Sequence, residues 1–307
     1  MQLQVFTVDA FTDKPFSGNP AAVVLLNEPL AEEILQKIAA EFNISETSYL
    51  RPLPAAGTTG NSDEYWKSGS RFGLRWFTPT NEVILCGHAT LAAAQTLFHS
   101  MGNTSEELQF ETEVSGVLLA RRNKPNNTIT LDFPANCPVE LNPEQHRQME
   151  SLVEIVKEQL TVTDVKISVI AKKLLVRIDD SCTRKQLEAF RPDDRRLLSC
   201  HDGSVIKGLI VTLKGHRSVP EQDEHELSKY DFVCRYFAVW NGISEDPVTG
   251  SAHTVLGPYW ARLLDTKTLK CRQCSPRGGD LEVVVREDGR VDLTGGAVTV
   301  VEATITI

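Results

Sequence analysis

A carboxylate, an imidazole, a thiol and two glycine turns are spaced in this chain so that they could move a proton beside a bound anion. Glu46 lies in Ile44-Ser45-Glu46-Thr47-Ser48-Tyr49-Leu50, a β-rich run whose alternation puts it on one face with Ile44, Ser48 and Leu50. On a semi-apolar face its pKa is expected to rise, which suits a general acid/base that takes and returns a proton near neutral pH. The same run also fits a solvated face on which Glu46 is one surface acid among many. His88 follows Cys86-Gly87 at the turn into an apolar helix, and Asp246-Pro247 precedes Gly250-Ser251 at the turn into another. Glycine permits the tight path, and the first N–H groups of a helix are unpaired at the positive end of its dipole. Each turn is therefore an anion site for a carboxylate or phosphate, or simply a helix cap. His88 and Asp246 beside such turns could orient a substrate or relay protons. His88 bonded to a backbone carbonyl is the purely structural alternative. A helix N-terminus also favours a thiolate at Cys86. No cysteine stands in Asp246-Pro247-Val248-Thr249-Gly250-Ser251, which argues against a paired-thiol racemase.

The elements that position these residues occur twice. Arg75-Trp76-Phe77 leads to Asn81 and then Gly87-His88-Ala89-Thr90; Arg235-Tyr236-Phe237 leads to Asn241 and then Gly250-Ser251-Ala252-His253. The order is strand, Asn, loop, glycine turn, apolar helix, with three extra residues in the second loop. This echo predicts two similar halves that face each other, so that both turns grip one small anion. The stretch Phe133-Pro134-Ala135-Asn136-Cys137-Pro138 breaks the strand pattern and marks the boundary. The halves are read as 1–133, with a final strand at about 297–307 packing back on it, and 138–296.

Around the echo, a helix opens at Asn27-Glu28-Pro29 and buries Leu30, Ile34, Leu35, Ile38 and Phe42, and a second opens at Asn142-Pro143. Residues 54–72 are Gly/Ser-rich and read as a solvent loop or insertion. Strands are expected at 74–78, 163–170, 173–178, 206–213, 281–287, 290–293 and 296–307, and helices at 89–98 and 183–190. A Pro- and acid-rich loop, with His225 among its acids, fills 219–228.

Composition narrows the function. The 307 residues are 41% hydrophobic and carry 32 Lys/Arg against 41 Asp/Glu, a net charge of −9. That core is large enough to fold, and the acidic surface with no run of four basic residues argues against nucleic acid. No apolar stretch is long enough to span a membrane, and the N-terminus shows no secretory pattern. Seven scattered cysteines fit reduced thiols in the cytoplasm. Cys271-Arg272-Gln273-Cys274 has no second pair and no histidine in register, so no metal site is assigned. No nucleotide-binding glycine motif, serine elbow or HExxH is present.

Five ordered blocks carry a resemblance. They are Gly18-Asn19-Pro20-Ala21-Ala22-Val23, Asn43-Ile44-Ser45-Glu46-Thr47-Ser48, Arg75-Trp76-Phe77-Thr78-Pro79, Gly87-His88-Ala89-Thr90-Leu91-Ala92 and Glu245-Asp246-Pro247-Val248-Thr249-Gly250-Ser251-Ala252. Together they resemble the PhzF (phenazine biosynthesis) family over essentially the whole chain. The resemblance implies an α/β (α+β) fold of two pseudo-symmetric diaminopimelate-epimerase-like domains, each a curved sheet around a central helix. It implies an active site in the cleft between them and a cofactor-independent isomerase acting on a small carboxylate-bearing metabolite. Glu46, His88 and Asp246 are the catalytic positions it implies, and Asn19, Ser45, Gly87, Gly250 and Ser251 the substrate-binding ones. It further implies a homodimer and admits a WD-repeat protein as partner, which keeps a non-catalytic binding protein on an isomerase scaffold as the alternative. The block 271–279 fits the family pattern loosely, so no substrate contact is assigned there.

Overall fold

The computed structural model describes residues 1–55, 62–215 and 229–307. The expected loop at 219–228, His225 included, lies outside the described residues, as does 56–61. The chain forms two compact units, Met1–Phe133 with Asp292–Ile307, and Pro134–Val291. No helix among the described residues is long and apolar enough to cross a membrane.

The first unit contains β1 (Gln2–Ala10), β2 (Asn19–Leu25), α1 (Glu32–Phe42), β3 (Glu46–Pro52), α2 (Ser62–Ser68), β4 (Arg71–Phe77), β5 (Glu82–Val83), α3 (Gly87–Gln95), β6 (Glu107–Glu111), β7 (Val117–Asn123) and β8 (Thr128–Pro134). The C-terminal strand Ala297–Thr306 lies antiparallel to β1. From β1 to β2, β3, β4, β6 and β7 the pairings run antiparallel, parallel, antiparallel, parallel, antiparallel. Its central helix is α3, buried from His88 through Gln95. An all-round apolar helix is stable only where protein surrounds it, and its alanines let the sheet approach closely.

The second unit repeats this plan with β9 (Val139–Glu140), α4 (Pro143–Lys157), β10 (Val162–Ser168), β11 (Lys173–Ile178), α5 (Arg184–Ala189), α6 (Asp194–Cys200), β12 (Gly208–Lys214), β13 (Phe232–Phe237), α7 (Gly250–Leu264), β14 (Thr268–Gln273) and β15 (Gly279–Val285). From β10 through β15 the same alternation of antiparallel and parallel pairs recurs. The central helix here is α7. Its Trp260 stacks on Phe232 with ring centroids 5.8 Å apart and donates to Thr212 Oγ1 at 3.0 Å. Gly257 is required in mid-helix because a Cβ there would come within 2.6 Å of Val283 Cγ1.

The sequence echo has a physical counterpart in each unit. Arg75 makes two 2.7 Å contacts to Glu82 and lies 5.1 Å over the Phe77 ring. Arg235 makes two 2.6 Å contacts to Glu245 and lies 4.9 Å over Phe237. A bidentate guanidinium–carboxylate pair fixes both ends of the loop that leads toward the central helix.

Several boundaries differ from the sequence reading. The first helix begins at Glu32 rather than at Pro29, and β3 begins at Glu46 rather than Ile44. Part of the expected loop 54–72 is α2, which buries Trp66 against Phe72 and ties its indole N–H to Asn27 Oδ1 at 3.1 Å. Helix α6, capped by Asp193, and strand β14 were not anticipated. Helix α4 starts where Asn142-Pro143 places it. Asn142 Oδ1 accepts from Gln145 N at 2.8 Å while Gln145 Oε1 accepts from Asn142 N at 2.9 Å. Asn142→Ala removes this capping box and is expected to cost about 1 kcal/mol. Urea unfolding should show a lower midpoint with an unchanged slope.

Candidate functional site

In the first unit the starts of β2, β3 and α3 bring the expected residues together. Gly18 takes φ +65° where a Cβ would meet Ala10 O at 2.2 Å, so only glycine delivers Asn19 to the head of β2. Asn43, at φ 48°, ends α1 and turns the chain into β3. Parallel pairing then sets Glu46 beside Ala21. Ser48 Oγ donates to Ala89 O at 3.0 Å, which holds β3 on the first turn of α3.

His88 is the hub. Its Nε2 lies 3.1 Å from Glu46 Oε2 and 3.3 Å from Ser45 Oγ, and its Nδ1 lies 3.3 Å from Cys86 Sγ. Ser45 Oγ donates to Pro20 O at 2.9 Å and sits 3.4 Å from Asn19 Oδ1, leaving its lone pairs for His88 Nε2–H. The Glu46–His88 approach is an ion pair outside hydrogen-bonding geometry. Glu46 Oε2 is therefore a buried acceptor with no hydrogen bond.

Electrostatics corrects one expectation. Burial pushes the Glu46 carboxyl up, but the His88 charge, with the polar groups of Ser45 and Cys86 beside it, outweighs burial, and the pKa is lowered, not raised. Alternation along a strand sees the apolar face but not the imidazole that crosses it. Burial pushes His88 down, yet its contacts with Cys86 and with the Glu46 carboxylate carry its pKa well above the ordinary value. The Cys86 thiol is itself pushed up, by burial first and then by the Glu46 charge. At neutral pH the group is thus carboxylate, imidazolium and neutral thiol, and Glu46 is the charge that keeps His88 protonated.

Donor atoms of Glu46, Cys86 and His88 fall within 4.8 Å of one another, a spacing that could hold a cation. Both His88 nitrogens are already engaged inside the cluster. Neither α3 nor α7 has a side-chain cap, whereas α4, α5 and α6 are capped by Asn142, Thr183 and Asp193. The first N–H groups at Gly87-His88 and Gly250-Ser251 are thus available to an anion.

In the second unit Asp246, Gly250 and Ser251 share one loop and helix start. Asp246 Oδ2 accepts from Thr249 Oγ1. Gln273 braces the turn: its Nε2 donates to Asp246 O at 2.6 Å and its Oε1 accepts from Thr249 N at 2.9 Å. Sequence reasoning passes over Gln273 because it sits inside Cys271-Arg272-Gln273-Cys274, whose flanking cysteines are buried, free thiols. Its only sequence signal is an amide at an inward-facing strand position. Lys173 and Tyr236, buried near Asp246, were also passed over.

The family model for phenazine biosynthesis-like proteins matches residues 8–303. A phenazine biosynthesis-like domain-containing protein of Bos taurus is 46% identical over 306 residues, covering 100% of both chains. An uncharacterized isomerase of Pseudomonas aeruginosa is 40% identical over 305 residues, covering 99% of both. The crystal structure of a PhzF-family phenazine biosynthesis protein from Enterococcus faecalis matches with TM-score 0.78 and 32% identity, covering 100% of both. Solved structures of a predicted epimerase from Pseudomonas aeruginosa and a probable proline racemase from Agrobacterium radiobacter, at 20% and 11% identity with TM-scores of 0.67 and 0.57, are matched over 99% of this chain and 99% and 93% of theirs, and speak for the fold alone. The repeated curved-sheet plan is thus the diaminopimelate-epimerase-like fold, an isomerase-like scaffold, and the chain belongs to the PhzC-PhzF family of phenazine biosynthesis-like proteins.

Proposed function

We propose that the protein is an isomerase that moves a proton within a small carboxylate-bearing metabolite, with Glu46 as the general acid/base. The observation that carries this reading is the state of Glu46 Oε2, buried and ionised beside His88 with no hydrogen bond of its own. Such an oxygen is poised to accept a proton from carbon. In the reaction Glu46 takes the proton alpha to the substrate carboxylate, and the electron pair moves toward that carboxylate. The backbone N–H groups at Gly87-His88 stabilise the growing charge, as fixed donors do in an oxyanion hole. Glu46, its proton exchanging with solvent in the meantime, then returns a proton to a different carbon. Electrons balance within the substrate, so no oxidant or reductant enters. The His88 imidazolium keeps Glu46 ionised before the transfer.

Asp246, with Gly250 and Ser251, is assigned to substrate binding and orientation in the same reading. Small carboxylates that raise the melting temperature should be incubated with the protein in D₂O and followed by mass spectrometry. A substrate gains deuterium at carbon. Ligands that bind tightly and never exchange would overturn the proposal.

A further inference from the structure

The repeated strand register shows what the second unit carries where the first carries Glu46. In the first unit Phe77 pairs with Thr47, so the preceding residue of β3 is Glu46, which pairs with Ala21 on β2. In the second unit Phe237 pairs with Leu209, so the preceding residue of β12 is Gly208, which pairs with Lys173 on β11. Gly208 therefore stands at the position of Glu46, and Lys173 at that of Ala21. The charge has changed sign and moved one strand over.

That exchange is built in sterically. A Cβ on Gly208 would lie 2.0 Å from Tyr236 Oη, so the missing side chain is what admits the phenol. Lys173 is 6% exposed, donates from Nζ to Tyr236 Oη at 2.9 Å and rides 4.6 Å over the same ring. Among the described residues Lys173 forms no ion pair. An ammonium carries three donors, and a neutral phenol answers one of them. Burying a charge with so little compensation is costly, and such groups are ordinarily paired or held for a ligand. The neighbourhood is that of the helix turn: Asp246 N donates to Tyr236 O at 3.1 Å, and Asp246 leads through Thr249 to the uncapped start of α7.

We propose that Lys173 Nζ is a carboxylate-binding group of the second unit, presented by Gly208 and Tyr236 beside the turn into α7. It deepens the function proposed above, on whose carboxylate substrate class it rests, by giving the second unit a charged group that a carboxylate can meet. The charged and titratable groups that face Lys173 are the Asp246 carboxylate and the Tyr236 phenol. A bound carboxylate adds a negative charge there and holds the ammonium protonated.

The test is lysine-selective NMR of the full chain, titrated with pH alone, then with acetate or benzoate, then with acetamide or benzamide. The expected result is a Lys173 titration that moves up by about one pH unit with the carboxylates and stays put with the neutral amides. Lys173→Met should weaken benzoate binding about tenfold. A titration unmoved by any carboxylate overturns the proposal, as does equal benzoate affinity in Lys173→Met. The wild-type titration decides the matter even if the variant fails to fold. Failure of the isomerase reading, seen as absent deuterium uptake, would leave this titration unaffected.

Discussion

Glu46→Gln is expected to slow deuterium uptake from D₂O into a bound carboxylate by about 10²–10⁴-fold, the usual contribution of a positioned general base. The amide is nearly isosteric, so the contacts of Ser45 and Cys86 with His88 survive, and no cavity opens. What disappears is the lone pair that accepts the proton and the charge that keeps His88 protonated. The imidazole pKa should fall, because burial pushes it down and the Glu46 charge no longer helps Cys86 to oppose it. Stability at neutral pH should change little, since the variant loses an ion pair but also two buried charges. Two readings are thus separable in one sample: melting temperature close to wild type, exchange lost. Exchange within threefold of wild type would remove Glu46 from the chemistry. Cys86→Ser should lose less than Glu46→Gln, because the thiol is held neutral and reaches only Nδ1 of His88.

The parts of this molecule legible in sequence are those written in local backbone chemistry. Glycine at 87 and 250, the capping pair Asn142 and Gln145, and the Arg-x-Phe echo each announce a backbone event within a few residues, and each stands in the fold. Helix α2 escaped because Gly, Ser and Asp around it read as turn residues. Its reason for being helical is the tertiary burial of Trp66 on Phe72, which no local window contains. The ionisation of Glu46 escaped for the same reason, since its sign depends on a ring delivered from 42 residues away. Lys173 is the clearest case. Ahead of Leu174-Leu175-Val176 it reads as the solvated end of an apolar strand, where a lysine ordinarily snorkels. Only the register of β11, β12 and β13 reveals that its amine turns inward over Gly208 to Tyr236.

Lys173→Met is expected to make the protein more stable at pH 7, by about 2 kcal/mol, and less stable than wild type above about pH 10. Burial pushes the Lys173 pKa down from 10.5 to about 8, with the Asp246 charge opposing it. That depression corresponds to about 3 kcal/mol of cost in the folded state. A folded-state pKa below the unfolded one means that the unfolded chain binds more protons between pH 8 and 10.5. The penalty is thus complete below pH 8, shrinks as pH rises through that window, and is gone above it. Methionine keeps the length of the stem but leaves Tyr236 Oη without its donor, a loss of about 1 kcal/mol at every pH. At neutral pH the relief exceeds that loss; at high pH only the loss remains. Urea unfolding of both proteins across pH 7–10.5 should therefore give stability curves that cross, and parallel curves would show that Lys173 is not buried as a charge. A residue whose removal stabilises the fold at neutral pH does not owe its place to folding. The sign of this difference and the response of Lys173 to carboxylates are two independent measurements of the same buried ammonium.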